Sequence, residues 1–500
     1  MYERPHPHNE ETPKTRADNT PAVSSLAGFV TRIILQHKAK LAKVKKFSSG
    51  NTGILSKNML GGIIGNALEW YDFAVFGFLA PVIGENFFPS DDPVDSLLGA
   101  FSVFASAFIA RPVGGVLFGY IGDQLGRKKA LQLSVMMMAV PTFLVGILPT
   151  HDSIGTLAPI LLILLRVAQG LSVGGELIGS IAFVAETAPS AKRGYFSSWT
   201  FASCYLGMML GSLSAVALND ALGPEAMAEW GWRLPFLSGV LITIVALWMR
   251  KGLTETPIFE EMKTKGNLGG NPLSEAIKLV PGSIFHASML VILVGGGFYT
   301  LFIWWPTFLN HFVHPHMPYV SELNTLALLL LIILIPITGR LSDELGRKKL
   351  LVWSSAGMTL LSWPLFLLAS QGGFFPVLVA QLCFTALMGL FLGPIPATLV
   401  DLFPPRFRFS AIGLAYNISL CIFGGTAPLV TTWLLKHFQV VSAPALYLVF
   451  LSGLNLMGAL ALPSARFIRS GHTPTSVEPK VKSRIIAVKK LGNQRQGLED

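Results

Sequence analysis

Gly119-Tyr-Ile-Gly-Asp-Gln-Leu-Gly-Arg-Lys-Lys-Ala-Leu131 returns without a gap as Gly339-Arg-Leu-Ser-Asp-Glu-Leu-Gly-Arg-Lys-Lys-Leu-Leu351. Eight of the thirteen residues agree at a lag of 220, so the chain reads as two related halves. A fainter echo at a lag of 215 sets Glu186-Thr-Ala-Pro189 and Arg193 against Asp401-Leu-Phe-Pro404 and Arg408. Each long motif is polar, basic and flanked by apolar sequence of the roughly 20 residues that a bilayer crossing needs.

Working outward gives twelve apolar blocks, at 58–83, 97–121, 130–149, 157–186, 196–219, 232–250, 283–309, 321–339, 350–369, 374–402, 409–435 and 443–463. Backbone polar groups in hydrocarbon need internal partners and the alternation of a barrel strand is missing, so all twelve should be helices. The longest polar break, 251–282, divides them six and six. The expected fold is therefore an all-α integral membrane protein with twelve transmembrane helices in two six-helix bundles. Its parts are a basic tail (1–57), an N-terminal bundle (58–250), a central loop (251–282), a C-terminal bundle (283–463) and a second tail (464–500). Both motif copies sit between the second and third spans of their half, as in parallel repeats about an axis along the membrane normal.

Composition agrees. With 51% hydrophobic and 13% charged residues over 500, against roughly 25% charged in soluble chains, a water-soluble globule is excluded. The net charge of +10 would suggest nucleic acid, but 34 of the 38 Lys and Arg fall in the tails and on alternate loops. The opposite loops hold Lys436 and Arg233 among many acids. That asymmetry favours both termini on the cytoplasmic side and removes nucleic acid as a partner. Cys204, Cys383 and Cys421 lie far apart in apolar blocks, so neither a disulfide framework nor zinc is expected. His311, His314 and His316 share one outer loop with few further ligands; no metal or cofactor is expected. The first 57 residues lack the apolar core of a cleaved leader, and Thr31 to Phe47 reads as a basic amphipathic stretch on the inner membrane surface.

Two arginines, Arg111 and Arg166, remain inside spans. Glu69 and Asp72, three apart on one helix face, lie near the middle of the first span, where a charge costs at least ~3 kcal/mol. Glu176 adds a third acid in the fourth span. Three acids against two arginines leave one charge that a proton can neutralise, and Asp72 or Glu69 is the expected exchanger. The bland alternative is a static ion network that fixes helix packing. The last six spans carry no charge at mid-membrane and offer Tyr299, Trp304, Trp305, Gln381 and Asn417. Guanidinium grips carboxylate bidentately and a desolvated aromatic face attracts ammonium by ~1 to 2 kcal/mol, so a zwitterion can bridge the halves. Trp304 and Trp305 read equally well as interfacial belt residues.

In the motifs, Gly119, Gly126, Gly339 and Gly346 allow tight turns and close approach, and Arg127 and Arg347 head runs that face anionic lipid. Asp123 and Asp343 are expected to latch one conformation, Asp123 on Lys192 or Arg193 and Asp343 on Arg406 or Arg408. Positive-inside anchoring alone explains the lysines but not the repeated aspartates.

The paired GxxxDxxGRKK loops resemble the signature of the major facilitator superfamily. Gly65-Asn-Ala-Leu-Glu-Trp-Tyr-Asp-Phe73, Arg111-Pro-Val-Gly114, Arg166-Val-Ala-Gln-Gly170 through Gly174-Gly-Glu176, Gly231-Trp-Arg-Leu-Pro-Phe236 and Glu255-Thr-Pro-Ile-Phe259 look like its metabolite:proton symporter family. One departure is Trp305, where that pattern often has tyrosine before the proline. The resemblance implies a monomeric secondary transporter that couples protons to a small solute, a zwitterion such as proline or betaine or an organic acid. It draws Gln169 into the site with Glu69, Asp72, Arg111, Arg166 and Glu176. Export is disfavoured because the fifth span, Tyr205-Leu-Gly-Met-Met-Leu-Gly-Ser-Leu213, lacks the proline of exporter motifs. No GxSxG, HExxH or nucleotide loop supports an enzyme, and a non-transporting sensor is the remaining alternative.

Overall fold

A computed structural model describes residues 57–91, 93–251, 254–265, 272–315 and 319–462. The tails apart from Lys57, Leu462 and their neighbours in the helices, the stretch Thr31 to Phe47, and His316 lie outside the described residues. Every apolar block coincides with a helix or with consecutive helices, and no strand occurs among the described residues. Nine helices there have the length and hydropathy to cross a bilayer, and Ala445–Leu460 is a shorter apolar one.

Prolines account for the interruptions inside blocks. The first span, Lys57–Phe78, breaks at Leu79 and resumes as Ala80–Phe87, since Pro81 has no N–H to continue the ladder. The seventh runs Pro281–Phe298, widens to π-helical turns over Tyr299–Trp304 and ends as Trp305–Phe312. Pro306 cannot donate to the Phe302 carbonyl, and neighbouring amides take over: Asn324 Nδ2 donates to Phe302 O at 3.0 Å and Gln381 Nε2 to Leu301 O at 3.5 Å. The eleventh repeats this plan, with Arg408–Ser419, wide turns at Leu420–Gly424 and Ala427–Phe438, and the Tyr447 hydroxyl donates to Phe423 O at 2.8 Å.

Several helices run a few residues past the apolar blocks, as in Pro93–Gln124 and Arg193–Ala226, and the motif ends show why. The third and ninth spans, Arg127–Ile147 and Arg347–Ser370, begin at the motif arginines, because Gly126 (φ 115°) and Gly346 (φ 95°) turn the chain in the left-handed region. The central loop holds two helices, Pro257–Thr264 and Pro272–Leu279. Thr256 caps the first, its hydroxyl accepting the Phe259 N–H at 3.3 Å with Pro257 at the first helical position.

Helix packing repeats between the halves. The first span packs on the fifth and sixth, the second on the fourth, and the third on the fourth and sixth; the seventh to twelfth repeat each pairing. Across the halves, the second span meets the eleventh and the fifth meets the eighth. These crossings run down to the motif end, where a Cβ on Gly339 would stand 2.8 Å from Gly194 O and one on Gly119 2.8 Å from Ser410 Cα. Between helices in lipid, small residues are what let backbones come so close.

Inside the N-terminal half the same rule is tightest at Gly114, where a Cβ would stand 2.0 Å from the Leu171 carbonyl oxygen, whereas Gly77 faces open space. Gly114→Ala should lower stability by about 1–3 kcal/mol, while Gly77→Ala should leave it equal or higher. Thermal melting of the purified protein in detergent measures both; equal melting of Gly114→Ala and the parent would refute this packing.

Candidate functional site

Arg111 sits on the second span at the seam between the halves, 2% exposed. Its guanidinium carbon lies 4.7, 5.1 and 5.9 Å from the ring centres of Phe108, Phe73 and Trp70. Nη2 is 3.8 Å from Glu69 Oε1, while Nε and Nη1 have no hydrogen-bond partner. Tyr299, from the seventh span, places its hydroxyl against Arg111 and its ring edge-on to Phe108 at 5.6 Å. Phe298 packs on Trp70 at 6.2 Å and on Tyr205 at 4.8 Å. Tyr205, Tyr299 and Tyr416 are electrostatic neighbours, and Tyr416 also senses Arg111 and Glu69. A buried cation and carboxylate thus stand in an aromatic lining drawn from both halves.

One turn along the first span, Asp72 belongs to a different arrangement. Arg166 Nη1 donates to Asp72 Oδ2 at 2.7 Å and to Gln169 Oε1 at 2.7 Å. Gln169 Nε2 reaches both Asp72 oxygens at 3.1 and 3.0 Å and the Thr142 hydroxyl at 2.8 Å. The Arg166 guanidinium also lies 4.2 Å from the Phe76 ring centre. Everything in this network comes from the first, third and fourth spans, and Asp72, Arg166 and Gln169 are fully buried. Glu176 is buried nearby and accepts from the Ser134 hydroxyl.

At the motif end each aspartate crosses to the other half. Asp123 accepts the N–H groups of Phe409 at 3.2 Å and Ser410 at 2.9 Å, in the first turn of the eleventh span. Asp343 accepts those of Gly194 at 2.8 Å and Tyr195 at 2.9 Å, in the first turn of the fifth. Orphan donors at a helix N-terminus and its dipole both favour a carboxylate there. This corrects the expected pairings. Asp123 takes its own motif's Arg127 at 2.6 Å rather than Lys192 or Arg193, and Asp343 lies 3.7 Å from Arg347 rather than on Arg406 or Arg408. Arg193 pairs instead with Asp401 at 3.1 Å, beside Arg347, and Arg408 with Glu186 at 2.8 Å, 3.5 Å from Arg127. Arg406 goes to Glu275 of the central loop at 2.7 Å.

The Major Facilitator Superfamily profile matches residues 62–428 and 287–491. The glycine betaine/proline/ectoine/pipecolic acid transporter OusA of Dickeya dadantii is 35% identical over 443 residues, covering 85% of this chain and 86% of that one. The proline/betaine transporter of Salmonella typhimurium is 32% identical over 480 residues, covering 92% and 95%. The chain belongs to the major facilitator superfamily. In fold it is similar to the proton:xylose symporter XylE, with a TM-score of 0.68 at 17% identity over 81% of this chain and 94% of that one. As a member of this superfamily it is a multi-pass membrane transporter and not an enzyme.

In this transporter not every residue expected at the solute site is brought there. Trp305 is buried among Phe308, Phe366 and Phe384, and Trp304 stacks on Phe308 and donates to Thr432 at 2.9 Å. Both are buried within the C-terminal half rather than exposed in an interfacial belt. Gln381 serves the seventh span's freed carbonyl. Asn417 ties the halves, its Nδ2 donating to Gly174 O at 2.8 Å. Tyr205 and Tyr416 were not singled out; the signal available was a tyrosine hydroxyl in mid-span, which needs a partner.

Asp72 and Arg166 have each other as counter-ions, and breaking a buried pair from one side costs about 3–5 kcal/mol. Asp72→Asn should therefore destabilise the protein strongly, with Asp72→Asn/Arg166→Gln recovering part of the loss. Melting in detergent reads this out, and a single variant as stable as the parent would show that the network holds nothing together.

Proposed function

We propose that the chain imports a small zwitterionic solute bearing a carboxylate, coupled to protons, by alternating access of two halves, 58–250 and 283–463. Both termini are cytoplasmic in a bacterial inner membrane, and the monomer is the working unit. The observation that carries this reading is Arg111 at the seam, its Nη2 in ion-pair range of Glu69 at 3.8 Å and its Nε and Nη1 without a hydrogen-bond partner. A guanidinium there binds carboxylate, and the faces of Tyr205, Tyr299 and Tyr416 suit a cationic nitrogen. The solutes named for OusA support it, since each joins one carboxylate to a positively charged nitrogen. The loop-motif end is closed in this structure, and Arg111, Glu69 and Tyr299 are buried between the halves. Proteoliposomes under an imposed pH gradient should accumulate labelled proline and betaine, and unlabelled betaine should compete better than citrate, oxoglutarate or shikimate. Accumulation of none under any gradient would end the transport reading; ammonium-free acids competing better would end the zwitterion part.

We also propose that the motif-end pairs act as latches. Gly119, Gly126, Gly339 and Gly346 set the approach; Asp123, Arg127, Arg193, Asp343, Arg347 and Arg408 make the contacts. Separating the halves at this end breaks Arg193–Asp401 and Arg408–Glu186 together with both aspartate caps. Arg193→Asp should lower the uptake rate several-fold, and adding Asp401→Arg should recover part of it. No recovery in the double variant, with both proteins well folded, would count against the latch.

A further inference from the structure

We propose that the indole N–H of Trp70 joins Arg111 in binding the solute's carboxylate, which makes Trp70 a specificity-determining residue. This rests on the carboxylate-on-Arg111 reading above and adds to it a second donor residue.

Arg111 Nη2 carries two N–H hydrogens, one on each bidentate edge of the guanidinium. Glu69, 3.8 Å from Nη2, can therefore keep its place while an edge stays available to a second carboxylate. Nε and Nη1, which complete those edges, have no hydrogen-bond partner. Trp70 follows Glu69 on the first span, and its ring centre lies 5.9 Å from the Arg111 guanidinium carbon. Its Nε1 has no hydrogen-bond partner either, and the residue is 6% exposed. The same ring is 6.2 Å from Tyr205 of the fifth span and 6.2 Å, edge-on, from Phe298 of the seventh. Trp70 thus stands at the seam, touching both halves.

Nε, Nη1 and the indole nitrogen are all donors. A buried donor without an acceptor is costly, and a buried indole N–H usually finds one. What satisfies a group of donors is a ligand made of acceptors. An ionised carboxylate fits, since its two oxygens accept about four hydrogen bonds and donate none. Two bonds along a guanidinium edge leave lone pairs for the indole. A quaternary ammonium brings no acceptor, so the other end of a zwitterion cannot take this place.

Trp199, Trp232 and Trp305 also bury an Nε1 without a partner. Their ring contacts stay within one half, on Tyr195, on Phe87 and Phe236, and on Phe308, Phe366 and Phe384. Among the described residues, Trp70 is the one of the four that packs on a ring of the opposite half and adjoins open guanidinium donors.

The test removes the donor and keeps the ring. Trp70→Phe, and the protein with benzothienylalanine at position 70, in which sulfur replaces the N–H in a ring system of the same shape, are titrated in detergent with glycine betaine and with proline. Affinity for both solutes should fall roughly tenfold to a hundredfold, the value of a hydrogen bond to a charged group. The sulfur isostere should melt like the wild type, because its packing is unchanged. The wild type supplies an independent signature: saturating betaine should add one hydrogen-bonded indole to its ultraviolet resonance Raman difference spectrum. An isostere that binds betaine as tightly as the wild type would overturn the inference, as would a saturated wild type with no newly bonded indole. If neither variant folds, the wild-type spectrum decides alone. A wild type that binds neither solute would remove the zwitterion reading and this inference with it, whereas tight binding by both wild type and isostere removes only the inference.

Discussion

Each motif aspartate caps a helix of the opposite half, and the closed end of the molecule depends on this contact. In lipid, two helical bundles gain little apolar free energy from meeting each other rather than acyl chains. What can hold them together is close backbone approach at small residues and polar groups with nowhere else to turn. Asp123 and Asp343 supply the second, since the N–H groups they accept are orphan donors at buried helix starts. Arg127 braces Asp123 from the same motif and also donates to Pro405 O at 2.8 Å. The bundle contacts at this end therefore rest on directional bonds as well as on close backbone approach.

Away from that end, the two halves divide the chemistry unequally. The N-terminal half holds two arginine–acid pairs, one sealed inside it and one at the seam. The C-terminal half answers with Tyr299, Phe298 and Tyr416, presented where the seventh and eleventh spans are widened or adjoin a widened turn. Wide turns are often found at functional sites, and here proline in both spans frees carbonyls that side chains of neighbouring helices then take up. Gln381, Asn324 and Tyr447 are used in that way, and of the two amides that looked available to a solute Gln381 holds this backbone and Asn417 the Gly174 carbonyl.

The helical spans and the two-half plan were legible because hydrophobic length and a 13-residue repeat are strong local signals. The lag-215 echo also marked Glu186 and Asp401 as equivalent, and Arg193 and Arg408 likewise. It carried no information on which copy each arginine serves, because a repeat gives equivalence and not proximity. In space the swap is mutual: Arg193 Nε bonds Ala185 O in its own half while Nη1 reaches Asp401, and Arg408 Nε bonds Val400 O while Nη1 reaches Glu186. Trp304 and Trp305 misled for a related reason. An aromatic near a helix end has the same sequence signature whether it faces lipid, solute or core, and only the packing of Phe308, Phe366 and Phe384 decides.

Equivalent by repeat, the two motif-end networks are unequal in surroundings. Glu186 is buried and takes Arg127, Arg408 and the Thr256 hydroxyl of the central loop at 2.7 Å. The adjoining Glu255 caps the third span, accepting the N–H groups of Arg127 at 3.1 Å and Lys128 at 3.2 Å, and Phe259 lies 5.7 Å from the Arg127 guanidinium. Arg193 and Asp401 keep 15% and 14% of their side-chain surface exposed, so water offsets more of their attraction. Losing one partner from the Glu186 network strands a buried charge, whereas the Arg193–Asp401 pair can part with its charges still near water. Of the two contacts between the halves at this end, the Glu186 network is accordingly the more deeply held, with the central loop adding to it on the side of the second and eleventh spans.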